Sequence, residues 1–234
     1  DRSLGFYIGR SDVGSDETSD WMLHTLCLNN VLHENADMKD RILMEKVPSS
    51  ERFLTDIISA MRDFRVISLC YQNFRHPEPF CFNVRPYCVK YFKQRWYLLG
   101  DSDLGLRIYS LDRFVDMEEL EEHFEIPKGF DAEEYFGNYF GVIIGEEPED
   151  VKIRVVPDQV KYFRTLPLHG SQRETVQEDG SSVFSYHIAP TFDFVQEILS
   201  HGADVEVLEP AELRESIADS VAGMASRYGL PVSR

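Results

Sequence analysis

The sequence predicts an α+β protein in two successive parts, a small curled β-barrel followed by an α/β sandwich. Three observations carry this reading. After Asp63 the apolar spacing changes from a helical period to strict alternation. Five short strand-like segments then follow within about 60 residues, separated by polar breaks. From residue 151 onward, strands and helices come in the order β-α-β-β-α-β, the signature of a ferredoxin-like sandwich.

Residues 1–49 read as a helical linker with a remnant strand. The segment LGFYIG at 4–9 is apolar and has no evident local partner, which suggests the last strand of a module lying upstream. Residues 11–19 form a polar loop, and Trp21, Thr25, Leu28 and Leu32 repeat at amphipathic-helix spacing. Residues 41–47 suit a brief strand. A second helix starts at Pro48–Ser49, with Ser49 as N-cap, Glu51 in the first turn and the stripe Phe53, Leu54, Ile57, Ile58, Met61.

Residues 50–122 hold this helix and the barrel. Ile67, Leu69 and Tyr71 alternate with more polar neighbours, as do Phe80, Phe82 and Val84. Segments 95–99, 106–111 and 115–120 complete the set. Pro86 cannot donate to a ladder, so it implies an edge or a bend. Residues 123–149 form an acidic connector with a short helix near 131–139.

Residues 150–234 supply the sandwich. Residues 151–156 alternate as a strand, and 158–165 form a helix that Pro167 ends. Two strands flank the turn Glu178-Asp179-Gly180. A helix over 193–201 closes at Gly202, a left-handed C-cap residue. A strand over 203–208 leads to Pro210, which opens a last helix with the stripe Leu213, Ile217, Val221, Met224, Tyr228.

Charge narrows the function. The formal net charge is -17, which argues against gripping a polyanion over the whole surface. Yet residues 65–113 carry eight Lys/Arg against four acids, whereas residues 116–150 carry thirteen acids against Lys128 alone. A basic island interleaved with Tyr, Phe and Trp suits a short anionic ligand. No apolar run approaches the ~18–20 residues of a membrane helix, so no membrane role is expected.

Other chemistries find little support. Cys27, Cys70, Cys81 and Cys88 form no C-x-x-C pair, and Cys70, Cys81 and Cys88, in strand-like segments, read as buried free thiols in a reducing compartment. His76, His123, His169, His187 and His201 stand singly, without metal-ligand spacing. Asp131, Glu133 and Glu134 are read as a charged first turn of a helix before they are read as a metal cluster. There is no G-x-S-x-G, no phosphate-binding glycine loop and no Cys/His nucleophile pairing, so neither an enzyme nor a cofactor or metal is expected.

The barrel segment resembles the WYL domain of bacterial regulators. The name-giving residues stand as Trp96, Tyr97 and Leu98, preceded by Arg95. The run Arg107-Ile-Tyr109-Ser-Leu111-Asp112-Arg113 looks like the family's Arg-x-Tyr-x-Leu-Asp-Arg segment. The stretch FDFVQEILSHGADVEVLEPAELRESI is similar to the ferredoxin-like extension that often follows. The resemblance covers about residues 50–234, and the spellings Pro-Tyr-x-x-Lys and Lys-Gln-Arg-Trp-Tyr-Leu-Leu look most like versions from Bacteroidetes. It departs from many members at Lys93-Gln94, where they place a Gly-containing turn. Without Gly a type I′ turn is strained, which predicts a longer or different hairpin.

The resemblance implies an SH3/Sm-like barrel behind an N-terminal winged helix-turn-helix, responding to a nucleic-acid or nucleotide-like ligand. By parity Arg107 and Arg113 share a strand face, a pair of guanidiniums able to grip phosphate. The competing reading pairs Arg113 with Asp112 or an acidic connector residue. Trp96 and Leu98 read as core. Tyr97 faces the other way beside Arg95, either as a stacking platform or as a hydroxyl bonded to a neighbouring strand. Lys90, Arg95 and Arg85 add a cationic rim, and Lys93 is a solvated turn residue.

The expected function is therefore the ligand-sensing region of a cytoplasmic bacterial transcriptional regulator. It would bind single-stranded nucleic acid or a nucleotide-like anion, and contact duplex DNA through a separate N-terminal module. A homodimer is expected, its contacts supplied by the C-terminal extension and linker. The alternative is a protein-interaction and dimerisation module without a small ligand.

Overall fold

The computed structural model describes residues 41, 50–74, 77–145 and 147–231. They belong, Arg41 apart, to the second of two compact units, Pro48–Arg234. The expectations for the strand at 4–9, the helix at 21–32, the strand at 41–47 and the Ser49 cap lie outside the described residues.

Helix α1, Leu54–Arg62, follows a 3-10 turn over Ser50–Phe53. Its apolar face buries Ile57 and Ala60 completely. That face lies against an antiparallel sheet of β1 (Arg65–Tyr71), β2 (Phe80–Phe92), β3 (Arg95–Ser102), β4 (Gly105–Ser110) and β5 (Phe114–His123). The strand order is β4-β3-β2-β1-β5. Its core joins Ile67, Leu69, Val84, Leu98, Tyr109 and Leu111 to the helix.

Two sequence expectations change here. No ladder joins β4 to β5 among the described residues, so the five strands of the expected small curled barrel form a sheet without closure. A single 3-10 turn, Leu111–Arg113, carries the chain from one edge toward the other. β5 also runs to His123, past the strand expected at 115–120 and up to the first residue of the expected connector. It is an edge strand, where glutamates such as Glu118 and Glu121 stay solvated and discourage edge-to-edge pairing.

Pro86 produces the bend. β2 pairs with β1 only through Val84 and with β3 through Phe92, and its register shifts between Pro86 and Cys88. The proline thus sits where the β1 ladder has already ended, and its missing N–H is not needed there. Opposite Pro86 is Gly100, where a Cβ would come within 2.3 Å of Val84 Cγ1.

The β2–β3 turn also corrects an expectation. Phe92 pairs directly with Arg95, leaving two turn residues, Lys93 at φ 44° and Gln94 at φ 65°. Both are left-handed, the type I′ arrangement, without any glycine.

After the connector helix α2 (Ala132–Phe136), whose N-cap Asp131 accepts N–H bonds from Glu133 and Glu134, a second layer begins. It comprises β6 (Glu149–Val155), α3 (Pro157–Thr165), β7 (Arg173–Val176), β8 (Ser182–Ile188), α4 (Phe192–Ser200), β9 (Val205–Glu209) and α5 (Ala211–Arg227). The strand order β7-β8-β6-β9, all antiparallel, is the split β-α-β arrangement of a ferredoxin-like sandwich. Val151, Ile153, Phe184 and Tyr186 form its core with Phe163, Phe194 and Ile198 from the helices.

Cys70 and Cys81 face each other across β1 and β2 and are joined by a disulfide, so they are not free thiols. Cys88 is free, and burial pushes its thiol pKa up to about 11. Among the described residues no helix is long and apolar enough to cross a membrane, and no His, Cys, Asp and Glu group could hold a metal.

Candidate functional site

Strand parity sorts the six candidate ligand residues. Paired residues share a sheet face. Tyr97 stands opposite Lys90, and Arg85 opposite Asp101, two residue pairs farther along β3 on the same side as Arg95 and Tyr97. Arg107 stands opposite Gly100, on the other side with Leu98 and Tyr109. Arg113 lies on neither strand but in the 3-10 turn. The single strand face expected for Arg107 and Arg113 does not exist, because the strand ends at Ser110.

On the Tyr97 side each cation has an internal partner. Arg85 Nη1 lies 3.2 Å from Asp101, and Arg95 Nη1 donates to Asp112 at 2.7 Å. Lys90 Nζ donates to the Gly141 carbonyl at 2.7 Å and sits 4.2 Å above the Phe136 ring. Burial lowers its pKa to about 8, against an opposing pull from Asp193. Tyr97 is half-buried, and burial raises its hydroxyl pKa in the field of Arg95, Asp112, Asp193 and Arg113.

On the other side a cleft of about 570 Å³ is lined by Asn73, Pro77, Glu78, Pro79, Phe80 and Arg107. Arg107 is exposed, and its Nε donates to the Leu104 carbonyl at 3.0 Å. This leaves the outer end of the guanidinium turned to solvent. Arg113 is not engaged by Asp112, whose carboxylate is taken by Arg95 and Ser110. Its Cζ instead lies 3.9 Å from the centre of the Phe74 ring, and its buried Nε has no hydrogen-bond partner among the described residues. Among the described residues no carboxylate pairs with this half-buried guanidinium, an arrangement able to accept an anion.

The loop between β1 and β2 links the two arginines. Gln72 donates its N–H to the Arg113 carbonyl at 3.0 Å, Phe74 covers the Arg113 guanidinium, and residues 77–80 border Arg107. Sequence reasoning passed over this loop, QNFRHPEP. Its signal was Phe74, a lone aromatic in a polar turn, which stays 81% exposed. An exposed ring on a cation offers its other face to a base or similar planar group.

Lys93 is an exposed turn residue, as expected, and it also has partners. Its Nζ lies 2.8 Å from Glu197 of α4 and near the Phe92 and Phe140 rings, at 5.6 and 5.4 Å. Trp96 is half-buried, packing on the core and on Tyr91 at 5.1 Å, while Leu98 is fully buried.

Residues 52–119 match the WYL domain family, and residues 147–225 match the WCX domain family. Among solved structures, the proteasome accessory factor B/C (PafBC) of Arthrobacter aurescens is similar over 80% of this chain and 28% of its own, at 18% identity and a TM-score of 0.32. A CRISPR Cas-related protein is similar over 75% of this chain and 51% of its own, at 18% identity and a TM-score of 0.47. The chain thus spans about a quarter of the first and half of the second. A search of curated proteins returned no match.

Proposed function

From the premise that this chain belongs to the WYL-domain family, a WYL domain followed by WCX, we propose that it is the ligand-sensing region of a bacterial transcriptional regulator. A short single-stranded nucleic acid or nucleotide-like anion docks beside Arg107 and Arg113, its phosphates meeting the guanidiniums and a base stacking on Phe74. The observation that supports this most is the Arg113 guanidinium, held on an aromatic ring with its Nε unpartnered among the described residues. In this reading residues 50–122 receive the ligand, 123–149 relay it, and 150–234 set dimer geometry. DNA binding by a winged helix-turn-helix module elsewhere in the protein is then controlled. Coupling of this kind is typically ~1–3 kcal/mol.

A second reading rests on a specific observation. Arg85, Arg95 and Lys90 are satisfied internally, as expected of an interaction and dimerisation module without a small ligand. Titration with short single-stranded oligonucleotides at two salt concentrations separates the two. The ligand-sensing reading expects affinity that falls steeply with salt. Absence of binding at both concentrations leaves the interaction module.

A further inference from the structure

The loop that completes the candidate site is closed by a covalent bond. Cys70 and Cys81 are directly opposed in the β1–β2 register and joined by a disulfide, with residues 71–80 between them. Within that loop Gln72 donates to the Arg113 carbonyl and Phe74 covers its guanidinium, while Asn73 and Pro77 to Phe80 border Arg107. Cys81 is exposed and Cys70 half-buried, so the bond lies within reach of a solvent thiol.

We infer that the Cys70–Cys81 disulfide is a redox switch on this ligand site, an inference that rests on the ligand-sensing reading above. In the oxidised chain the bond clamps the loop mouth next to Tyr71 and Phe80 and holds Phe74 on Arg113. The site is then assembled before ligand arrives. A dithiol reductant reverses this. Its thiolate attacks one sulfur, the Cys70–Cys81 bond breaks through a mixed disulfide, and the reductant's second thiol closes its own disulfide. Two electrons and two protons pass to the protein, which ends with two Cys thiols. With the bond gone, the mouth is held only by the end of the β1–β2 ladder at Tyr71–Phe80, the loop's hold on Arg113 loosens, and binding must then restore it.

The β1–β2 ladder continues past the disulfide by one pair, Tyr71–Phe80, while β1 changes register with β5 between Cys70 and Tyr71. The disulfide therefore reinforces a mouth that is otherwise closed by the end of a single ladder. Cys88, the other described cysteine, is a poor attacker of this disulfide, because its buried thiol resists forming the thiolate that exchange requires.

The test uses the full chain and a fluorescent single-stranded oligonucleotide. Binding is measured oxidised and after dithiothreitol, alongside hydrogen exchange at the Gln72 amide. The same is done for the double variant Cys70→Ser, Cys81→Ser. Expected are binding roughly three- to tenfold weaker after reduction, as for loss of one or two ordered side chains, and faster Gln72 exchange. The double variant should behave as the reduced chain with or without dithiothreitol. Equal affinity in all samples overturns the switch and leaves the ligand reading standing. Weaker binding without faster Gln72 exchange overturns loop release as its cause. No binding in any sample, with exchange still accelerated by reduction, overturns the ligand reading itself and with it the claim that the bond governs ligand.

Discussion

Lys93 and Glu197 meet at 2.8 Å, joining the β2–β3 turn of the first sheet to helix α4 of the sandwich. Beneath this pair the rings of Phe92, Phe140 and Phe194 follow one another at 5.5 and 6.0 Å. The turn is therefore a contact point, and its left-handed backbone is the geometry that delivers Lys93 to α4.

That backbone is costly at Gln94, which has φ 65° and a Cβ. Gln94→Gly is expected to stabilise the chain by about 0.5–1 kcal/mol, the cost of a left-handed non-glycine residue less the entropy glycine adds to the unfolded chain. Urea unfolding of the two proteins measures this. A lower midpoint for the variant would show that the glutamine side chain outweighs its backbone.

The connector clasp depends on a missing side chain. A Cβ on Gly141 would lie 2.2 Å from Asp193 Oδ2, the oxygen that accepts the Val142 and Ile143 N–H groups at 2.8 and 2.9 Å. Gly141→Ala must displace that carboxylate, and the Lys90 bond to the Gly141 carbonyl with it. A loss of about 1–3 kcal/mol is expected, with faster exchange at the Val142 and Ile143 amides.

Lys90 gives the clasp a pH dependence of known sign. Its pKa falls to about 8 in the folded chain from an ordinary 10.5, so between those values the unfolded chain holds a proton that the folded one has released. Stability then rises with pH across that window, by on the order of 1–3 kcal/mol. Below pH 8 the penalty of the buried ammonium is fully present. Lys90→Met should flatten the rise, as read from unfolding midpoints at pH 7.5, 9 and 10.5.

The name-giving aromatic is not the main pillar of the core. Leu98 is fully buried, so Leu98→Ala should cost ~2.7–5 kcal/mol. Trp96 is half-buried and rests on Tyr91, so Trp96→Ala should cost less than Leu98→Ala despite the larger deletion. Thermal or urea denaturation of both variants ranks them.

The arginines should divide by their partners. Arg107→Ala and Arg113→Ala are each expected to weaken oligonucleotide binding by about 1.5–3 kcal/mol, the worth of a charge-assisted contact, with little change in Tm. Arg85→Ala and Arg95→Ala should leave binding unchanged and alter stability by no more than ~1 kcal/mol, because their ion pairs with Asp101 and Asp112 are partly solvated. If Arg113→Ala melts early and binds normally, its guanidinium is structural and the interaction-module reading prevails.

What the sequence determined by itself was what local periodicity encodes. The change to alternation after Asp63, the bend at Pro86, the Asp131 helix start and the β-α-β-β-α-β order all depend on neighbours a few residues apart, and all were legible. Tertiary structure decided which side chains meet across long separations. The 3-10 turn removed Arg113 from the Arg107 strand face, Glu197 recruited Lys93, Gly141 and Phe136 took Lys90, and Cys70 met Cys81. Parity assigns a residue to a face but cannot say which distant carboxylate, carbonyl or sulfur waits there. That depends on register and on how two sheets pack, and so the same basic island holds both satisfied structural cations and the one guanidinium resting on Phe74.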